Sequence, residues 1–325
     1  MGNALPHPVP AAQHTPPLVA IVGATGTGKS DMALNIAKRL LDAGEAVEIV
    51  NADAMQLYRG MDIGTAKVPE SERRGIPHHL LDIWEVTREA SVADYQKLAR
   101  SVISDIQTRG AVPLLVGGSG LYVSAVVYEF EFPGTDKKIR EGLEKRLETE
   151  GIAVLQAELV NKDPLAGAAI DPKNVRRVLR ALEVIELTGK PFGAGLDAEQ
   201  RPWQENVVMI GLEVPREELV ATLDARVESM WEKGFVGEVS GLISAGIEKG
   251  VTASRAIGYQ QVLGFLAGRL SEQEALEETQ ALTRRYARRQ VSWFRRNSDT
   301  VWYDPRVATS VEQGVRLITA RRSGV

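Results

Sequence analysis

Cysteine is absent from all 325 residues, which excludes disulfides, thiolate nucleophiles and cysteine-ligated zinc. Long apolar runs are missing as well: none approaches the ~18 residues of a membrane-spanning helix, so no membrane partner is expected. There is no excess of positive charge either. A net charge of -4 excludes a uniformly basic nucleic-acid binder while leaving a local basic surface open. Residues 1–17, rich in Pro and Ala, lack the basic-then-apolar order of a secretory signal and read as a disordered tail. A cytoplasmic location is expected from the missing signal. Hydrophobic content of 44% and charged content of 25% are ordinary for a soluble globular protein, and the length allows one or two domains.

The most informative stretch that is present is Gly23-Ala24-Thr25-Gly26-Thr27-Gly28-Lys29-Ser30, which fits G-x-x-x-x-G-K-[ST]. The apolar run Leu18–Val22 leads into it, and Asp31–Leu41 follows with the apolar spacing of an amphipathic helix. Strand, glycine-rich turn and helix together make an anion cradle: successive backbone N–H groups converge, and the helix N-terminus adds positive potential. Lys29 supplies a point charge for phosphate, and the Ser30 hydroxyl is placed to ligate Mg²⁺. A loop of this kind most often holds ATP or GTP, so nucleotide binding is the first expectation.

Further apolar runs at Ala46–Val50, Pro113–Val116, Val207–Leu212 and Thr300–Tyr303 alternate with helical patterns, one of them over Val92–Thr108. Such alternation predicts an α/β fold with a mainly parallel sheet flanked by helices, a P-loop NTPase-like core. Residues 133–192 read instead as helices alone, with helices over Lys137–Glu150 and Asn174–Leu187 and breaks at Asp163-Pro164 and Asp171-Pro172. An all-helical insertion subdomain is therefore expected there, mounted on a core formed by residues 18–132 and 193–325. Binding residues should gather where parallel strands end, which singles out the phosphate loop, Asp53 and the turn Gly117-Gly118-Ser119-Gly120.

Three clusters carry possible chemistry. Asp53 is placed either to accept a proton from an incoming nucleophile or to cap a turn, and spacing alone does not decide between them. His78-His79 are adjacent, a poor arrangement for one metal ion, so packing or a polar contact is expected. Arg284, Arg285, Arg288, Arg289, Arg295 and Arg296 lie in one run without an acidic residue and are interleaved with Tyr286, Trp293 and Phe294. A solvated helix face is the ordinary outcome for a charge run, but this composition favours contact with a nucleic-acid backbone.

Taken together, GATGTGKS at 23–30, NADAMQLYRGMDIGTAK at 51–67, IPHHLLD at 76–82, LLVGGSGLY at 114–122, RRVLRALEVIELTGKPF at 176–192, SRAIGYQQVL at 254–263 and TRRYARRQVSWFRR at 283–296 closely resemble the tRNA dimethylallyltransferase family. The likeness runs in order from about residue 18 to residue 304. It implies prenyl transfer in place of phosphoryl transfer. The donor would be dimethylallyl diphosphate, and the acceptor the exocyclic amine of the adenine 3′-adjacent to the anticodon in tRNAs reading codons that begin with U. On this resemblance Gly23 to Ser30 would hold the diphosphate with Mg²⁺, Thr27 would reach donor or diphosphate, and Arg226 matches a diphosphate-binding arginine. Asp53 would take the proton from the attacking amine. Asp53, Ala54, Met55 and Gln56 match a tRNA-contacting stretch, as do Arg176, Arg177, Val178, Leu179 and Arg180; Ser119 and Arg140 match single tRNA-contacting positions.

The helical insertion and the run containing Arg284, Arg285, Arg288 and Arg289 would grip the anticodon stem-loop, with the target base extruded from its stack. Two departures from the family pattern are Ser119, where threonine is common, and Thr222, where arginine is frequent. With no cysteine near its end, the chain suits the shorter bacterial form, expected to act as a monomer, in contrast to members with a C-terminal zinc finger. Two other classes compete: a small-molecule kinase using ATP at the same loop, and an RNA-binding module that performs no chemistry.

Overall fold

The apolar run ahead of the glycine-rich loop forms strand β1 (Leu18–Gly23), every residue of it buried. The computed structural model describes residues 15–130, 132–192 and 201–322. A strand covered on both faces needs side chains that tolerate burial on both, so an unbroken apolar run marks it better than an alternating one. The other strands are β2 (Val47–Asn51), β3 (His78–His79), β4 (Val112–Gly117), β5 (Val207–Leu212) and β6 (Val301–Tyr303). They form one six-stranded sheet in the order β3-β2-β4-β1-β5-β6. Every neighbouring pair is parallel, so the expected mainly parallel sheet is parallel throughout.

The register brings the functional turns to one end. Val22 of β1 lies beside Gly117 of β4, Gly23 beside Leu212 of β5, and Asn51 of β2 beside Val116. The phosphate loop, the Asp53 turn and the second glycine turn thus leave the sheet together. Gly117 has to be glycine, because a β-carbon there would sit 2.3 Å from the Ala52 carbonyl. Only bare backbone lets β4 pass this close to the start of the Asp53 turn.

The chain divides into two compact units, residues 128–203 and the residues on either side of them. In the larger unit, α1 (Lys29–Asp42) follows the phosphate loop, and α2 (Val92–Thr108) and α3 (Gly120–Val127) flank β4 in sequence. The smaller unit contains α4 (Lys137–Glu150), α5 (Ile152–Lys162), α6 (Pro164–Ala169) and α7 (Val175–Thr188). Beyond it the larger unit continues with α8 (Arg216–Glu232), α9 (Phe235–Ser244), α10 (Tyr259–Leu266), α11 (Glu272–Phe294) and α12 (Ser310–Arg322). Its core joins Val19 and Ile21 of β1, Ile36 and Leu40 of α1, Leu114 of β4, Ile210 of β5 and Ile318 of α12. Among the described residues no helix is long and apolar enough to cross a membrane.

The smaller unit has its own core, built on Leu143, Leu155, Leu159, Val178 and Leu182. Of the two breaks read from sequence, Asp163 is a helix cap that accepts the Ala166 N–H at 3.0 Å. Asp171 accepts the Lys173 N–H at 2.9 Å in the turn before α7, whose cap is Asn174, accepting the Arg177 N–H at 3.3 Å. The unit is wider than the expected 133–192. Its two ends pair through a bridge between Tyr128 and Pro202, and the Glu129 N–H reaches the Arg201 carbonyl at 2.8 Å.

Two other expectations are corrected. Of the expected tail, residues 1–14 lie outside the described residues, but Pro16 and Pro17 are buried and Gln107 donates to the Pro16 carbonyl at 2.8 Å. β3 escaped notice because two histidines carry no apolar pattern; backbone pairing of His78 with Ile49 and His79 with Val50 makes them a strand. His78 Nδ1 lies 2.8 Å from the Ile76 carbonyl and His79 Nε2 lies 2.6 Å from Glu48, the polar contacts expected of them. Among the described residues no cluster of three or more His, Asp or Glu could hold a metal ion by itself.

Candidate active site

A cavity of about 740 Å³ opens where β1, β2 and β4 end. Thr25, Gly26, Gly28, Lys29 and Ser30 of the phosphate loop line one wall, Asp53 and Gln56 another, and Arg226 of α8 a third. Residues brought together from positions 25 to 226 therefore face one space. Gly23, Ala24 and Thr27 do not line it. They lie buried beneath the loop, and the Thr27 hydroxyl donates to the Ala24 carbonyl at 2.9 Å, closing the turn. The expectation that Thr27 reaches the donor is corrected: Thr25 holds the cavity-facing position, and Thr27 lines a second cavity, of about 870 Å³.

Lys29 keeps some surface, yet burial pulls its ammonium down to about 8; Asp53 opposes that shift, and the Arg226 cation adds to it. Its Nζ donates to the Ala24 carbonyl at 2.7 Å. Burial also lowers the Arg226 guanidinium, against the pull of Asp53. Two desolvated cations facing one carboxylate form a site short of negative charge. A diphosphate would supply it.

Asp53 takes the turn role, one of the two left open by its sequence. Its Oδ1 accepts the Met55 N–H at 2.9 Å, and its own N–H donates to Asn51 Oδ1 at 2.9 Å, a side-chain-stabilised turn. Among the described residues its Oδ2 carries no hydrogen bond, leaving one oxygen for chemistry in the cavity. Asn51 Nδ2 reaches the Asp53 and Leu80 carbonyls at 3.1 and 3.0 Å, so the backbone that presents the carboxylate is fixed at both sides.

The face of α11 toward the two glycine turns is a set of polar locks. Gln290, buried, accepts the Thr25 N–H at 2.8 Å and donates to the Gly118 carbonyl at 2.7 Å. Trp293 Nε1 donates to the Ser124 hydroxyl at 3.2 Å, and Ser119 accepts the Ala54 N–H at 3.2 Å. Ser119 and Ala54, both expected at tRNA, thus hold each other in place. Gln290 and Thr25 were absent from the expected catalytic set; the spacing of Tyr286, Gln290 and Trp293 on one helix face was the signal available.

The arginines of α11 divide. Arg284 pairs with Asp224 and Arg295 with Glu213, so carboxylates distant in sequence neutralise two cations that look uncompensated in their own run. Arg284, Arg285 and Arg288 line the second cavity, whereas the Arg289 guanidinium lies 5.9 Å from the Tyr286 ring on another face. Arg285 and Arg288 are exposed and, among the described residues, lack a carboxylate partner.

In the smaller unit, Val178 and Leu179 are core residues, so their side chains are not available to tRNA as expected; Arg176 and Arg177 are exposed. Arg140 and Arg180 are committed to the wholly buried Glu183, at 2.7 and 3.1 Å.

The IPP transferase family model matches residues 56–297. A tRNA dimethylallyltransferase of Clavibacter sepedonicus is 58% identical over 306 residues, 94% of this chain and 99% of that protein. One of Thermobifida fusca is 53% identical over 301 residues, covering 93% and 94%. The crystal structure of the full-length tRNA isopentenylpyrophosphate transferase of Bacillus halodurans aligns with a TM-score of 0.68 at 38% identity, over 95% of this chain and 97% of that one. A eukaryotic dimethylallyltransferase acting on tRNA aligns with a TM-score of 0.76 at 26% identity, over 93% and 77%.

Proposed function

The chain belongs to the IPP transferase family, and from that membership we propose that it moves a dimethylallyl group from dimethylallyl diphosphate to tRNA. The acceptor is the exocyclic amine of the adenine 3′-adjacent to the anticodon, in tRNAs reading codons that begin with U. The reaction takes place in the cytoplasm. What supports the reading is the meeting of Lys29, Arg226 and Asp53 with the phosphate loop in one cavity.

Loop N–H groups, Lys29 and Arg226 hold the diphosphate. The Thr25 N–H is already given to Gln290, so it fixes the loop and takes no part in anion binding. As the bond from the allylic carbon to the diphosphate oxygen breaks, its electron pair goes to that oxygen, where the two cations stabilise it. The adenine nitrogen bonds to the same carbon, and its proton passes to Asp53 Oδ2. Ser30 lines the same cavity, and its hydroxyl fits Mg²⁺, an ion that keeps much of its water and leans on substrate phosphates. When bound, Mg²⁺ supplies further neutralisation of the leaving group.

Incubation with unmodified tRNA and labelled dimethylallyl diphosphate tests the proposal. Label recovered on the adenine beside the anticodon is expected. Binding of tRNA without transfer, or ATP-dependent phosphorylation of a small metabolite instead, would overturn it.

A further inference from the structure

The wall of the cavity facing the phosphate loop includes Asp62, Ile63, Thr65, Ala66 and Lys67. One carboxylate outside the cavity holds this segment. Glu238 of α9 accepts the Asp62 N–H at 3.0 Å and the Ile63 N–H at 2.6 Å through Oε2. Through Oε1 it accepts the Gly64 N–H at 3.3 Å and the Tyr259 hydroxyl at 2.6 Å. Consecutive amides converging on one anion form a nest, and here the anion is part of the protein.

Gly64 lies against an aromatic pair. A β-carbon on it would stand 2.2 Å from the Phe235 ring and 2.7 Å from the Tyr259 ring, so the segment seats at this depth only as bare backbone. Phe235 and Tyr259 meet edge to face with centroids 5.0 Å apart, and both are fully buried. The far end is pinned by Lys67, whose buried ammonium reaches the Tyr58 carbonyl at 2.9 Å and Asp62 and Asp82 at 2.6 Å each. The segment connects to the reacting side through Gln56, which donates to the Thr65 carbonyl at 3.1 Å and follows Asp53 closely in the chain.

We propose that Glu238 is a positioning residue for prenyl transfer: by holding the amides of residues 62–64, it sets the wall opposite the phosphate loop and, through Thr65 and Gln56, the placement of the Asp53 segment. The proposal rests on the prenyl-transfer reading. Glu238 lies outside the cavity lining, so it acts through the backbone it holds and not on the substrate.

The test compares wild type, Glu238→Gln, Gly64→Ala, the double variant and Tyr259→Phe, using tRNA and dimethylallyl diphosphate. A glutamine turns an NH₂ group toward donors on one side of the nest, so the wall shifts while the side-chain volume is kept. Glu238→Gln is expected to lower kcat about 10- to 100-fold, the cost of a displacement near 1 Å. The dissociation constant for tRNA should stay within about twofold, because the basic surface of α11 is untouched. Gly64→Ala displaces the same segment, so the double variant should be no worse than the poorer single variant, within about twofold. Tyr259→Phe removes one of the four bonds and should cost about threefold in kcat, which keeps the test open if the stronger variants fail to fold. Glu238→Gln with wild-type kcat, a matching loss of tRNA affinity, or effects of the two substitutions that multiply would overturn the positioning role. A wild-type protein that transfers no label would overturn the parent reading as well.

Discussion

Gln290 of the basic helix α11 accepts the backbone N–H of Thr25 at 2.8 Å, across 265 residues of sequence. The same side chain donates to Gly118 at 2.7 Å, so one amide bridges the two glycine turns that frame the site. The helix that carries the arginine run is thereby part of the phosphate loop's support.

Gln290→Ala is expected to leave the buried Gly118 carbonyl and the Thr25 N–H unpaired, at a cost of about 1–3 kcal/mol in unfolding free energy. With the loop no longer held, KM for the donor should rise several-fold more than the dissociation constant for tRNA. Urea unfolding and steady-state kinetics check both parts; equal changes in the two affinities would remove the bridge from the mechanism.

Asp53→Asn separates the observed turn from the proton transfer proposed for this carboxylate. An asparagine can still accept the Met55 N–H through Oδ1, so the turn should persist. It cannot take a proton at the other position. Single-turnover rates should fall by about 10²–10⁴, with tRNA affinity little altered. A variant with wild-type rates would show that the turn is the residue's whole role.

The split of the α11 arginines redirects the expectation for tRNA binding. Arg285 and Arg288 are exposed without carboxylate partners, whereas Arg284 is held by Asp224. Replacing Arg285 and Arg288 by alanine should weaken tRNA binding and flatten its log–log salt dependence by up to about 1.4–1.8 in slope, for two phosphate contacts. Arg284→Ala alone should leave the slope nearly unchanged. Titrations at several salt concentrations distinguish these outcomes.

How much of this was legible in the chain follows the range of the interactions. Apolar-rich runs identified five of the six strands. In β1, β4 and β5 the cause is burial on both faces of a parallel sheet, whereas β2 is interrupted by Glu48 and the edge strand β6 is only partly buried. The phosphate loop and Asp53 were legible for a similar reason: each follows directly on such a strand. Glu238, Gln290 and Glu183 were not. Each is a single polar residue on a helix, and what makes it matter is a set of partners contributed by other segments, in one case 265 residues away. The apparent surplus of charge on α11 misled for the same reason, since Asp224 and Glu213 reach it only through the fold. Val178 and Leu179 sit among arginines in sequence but face the opposite side of their helix, into the core.

Lys29 supplies a prediction about pH with a definite sign. Its folded-state pKa is about 8, below the 10.5 of the unfolded chain, because burial penalises the ammonium. Between those values the unfolded state binds more protons than the folded one, so raising the pH through this window should stabilise the wild type. Lys29→Met lacks this titration. Its stability relative to wild type should therefore be highest below pH 8 and decline toward pH 10.5, as measured by urea unfolding across the range. Donor binding should change in the opposite sense. The ammonium that is costly to bury is the form that attracts a diphosphate, so donor affinity of the wild type should fall as pH rises past 8. A stability difference that stays flat with pH, or donor affinity insensitive to pH across that window, would detach this lysine from the anion it is placed to hold.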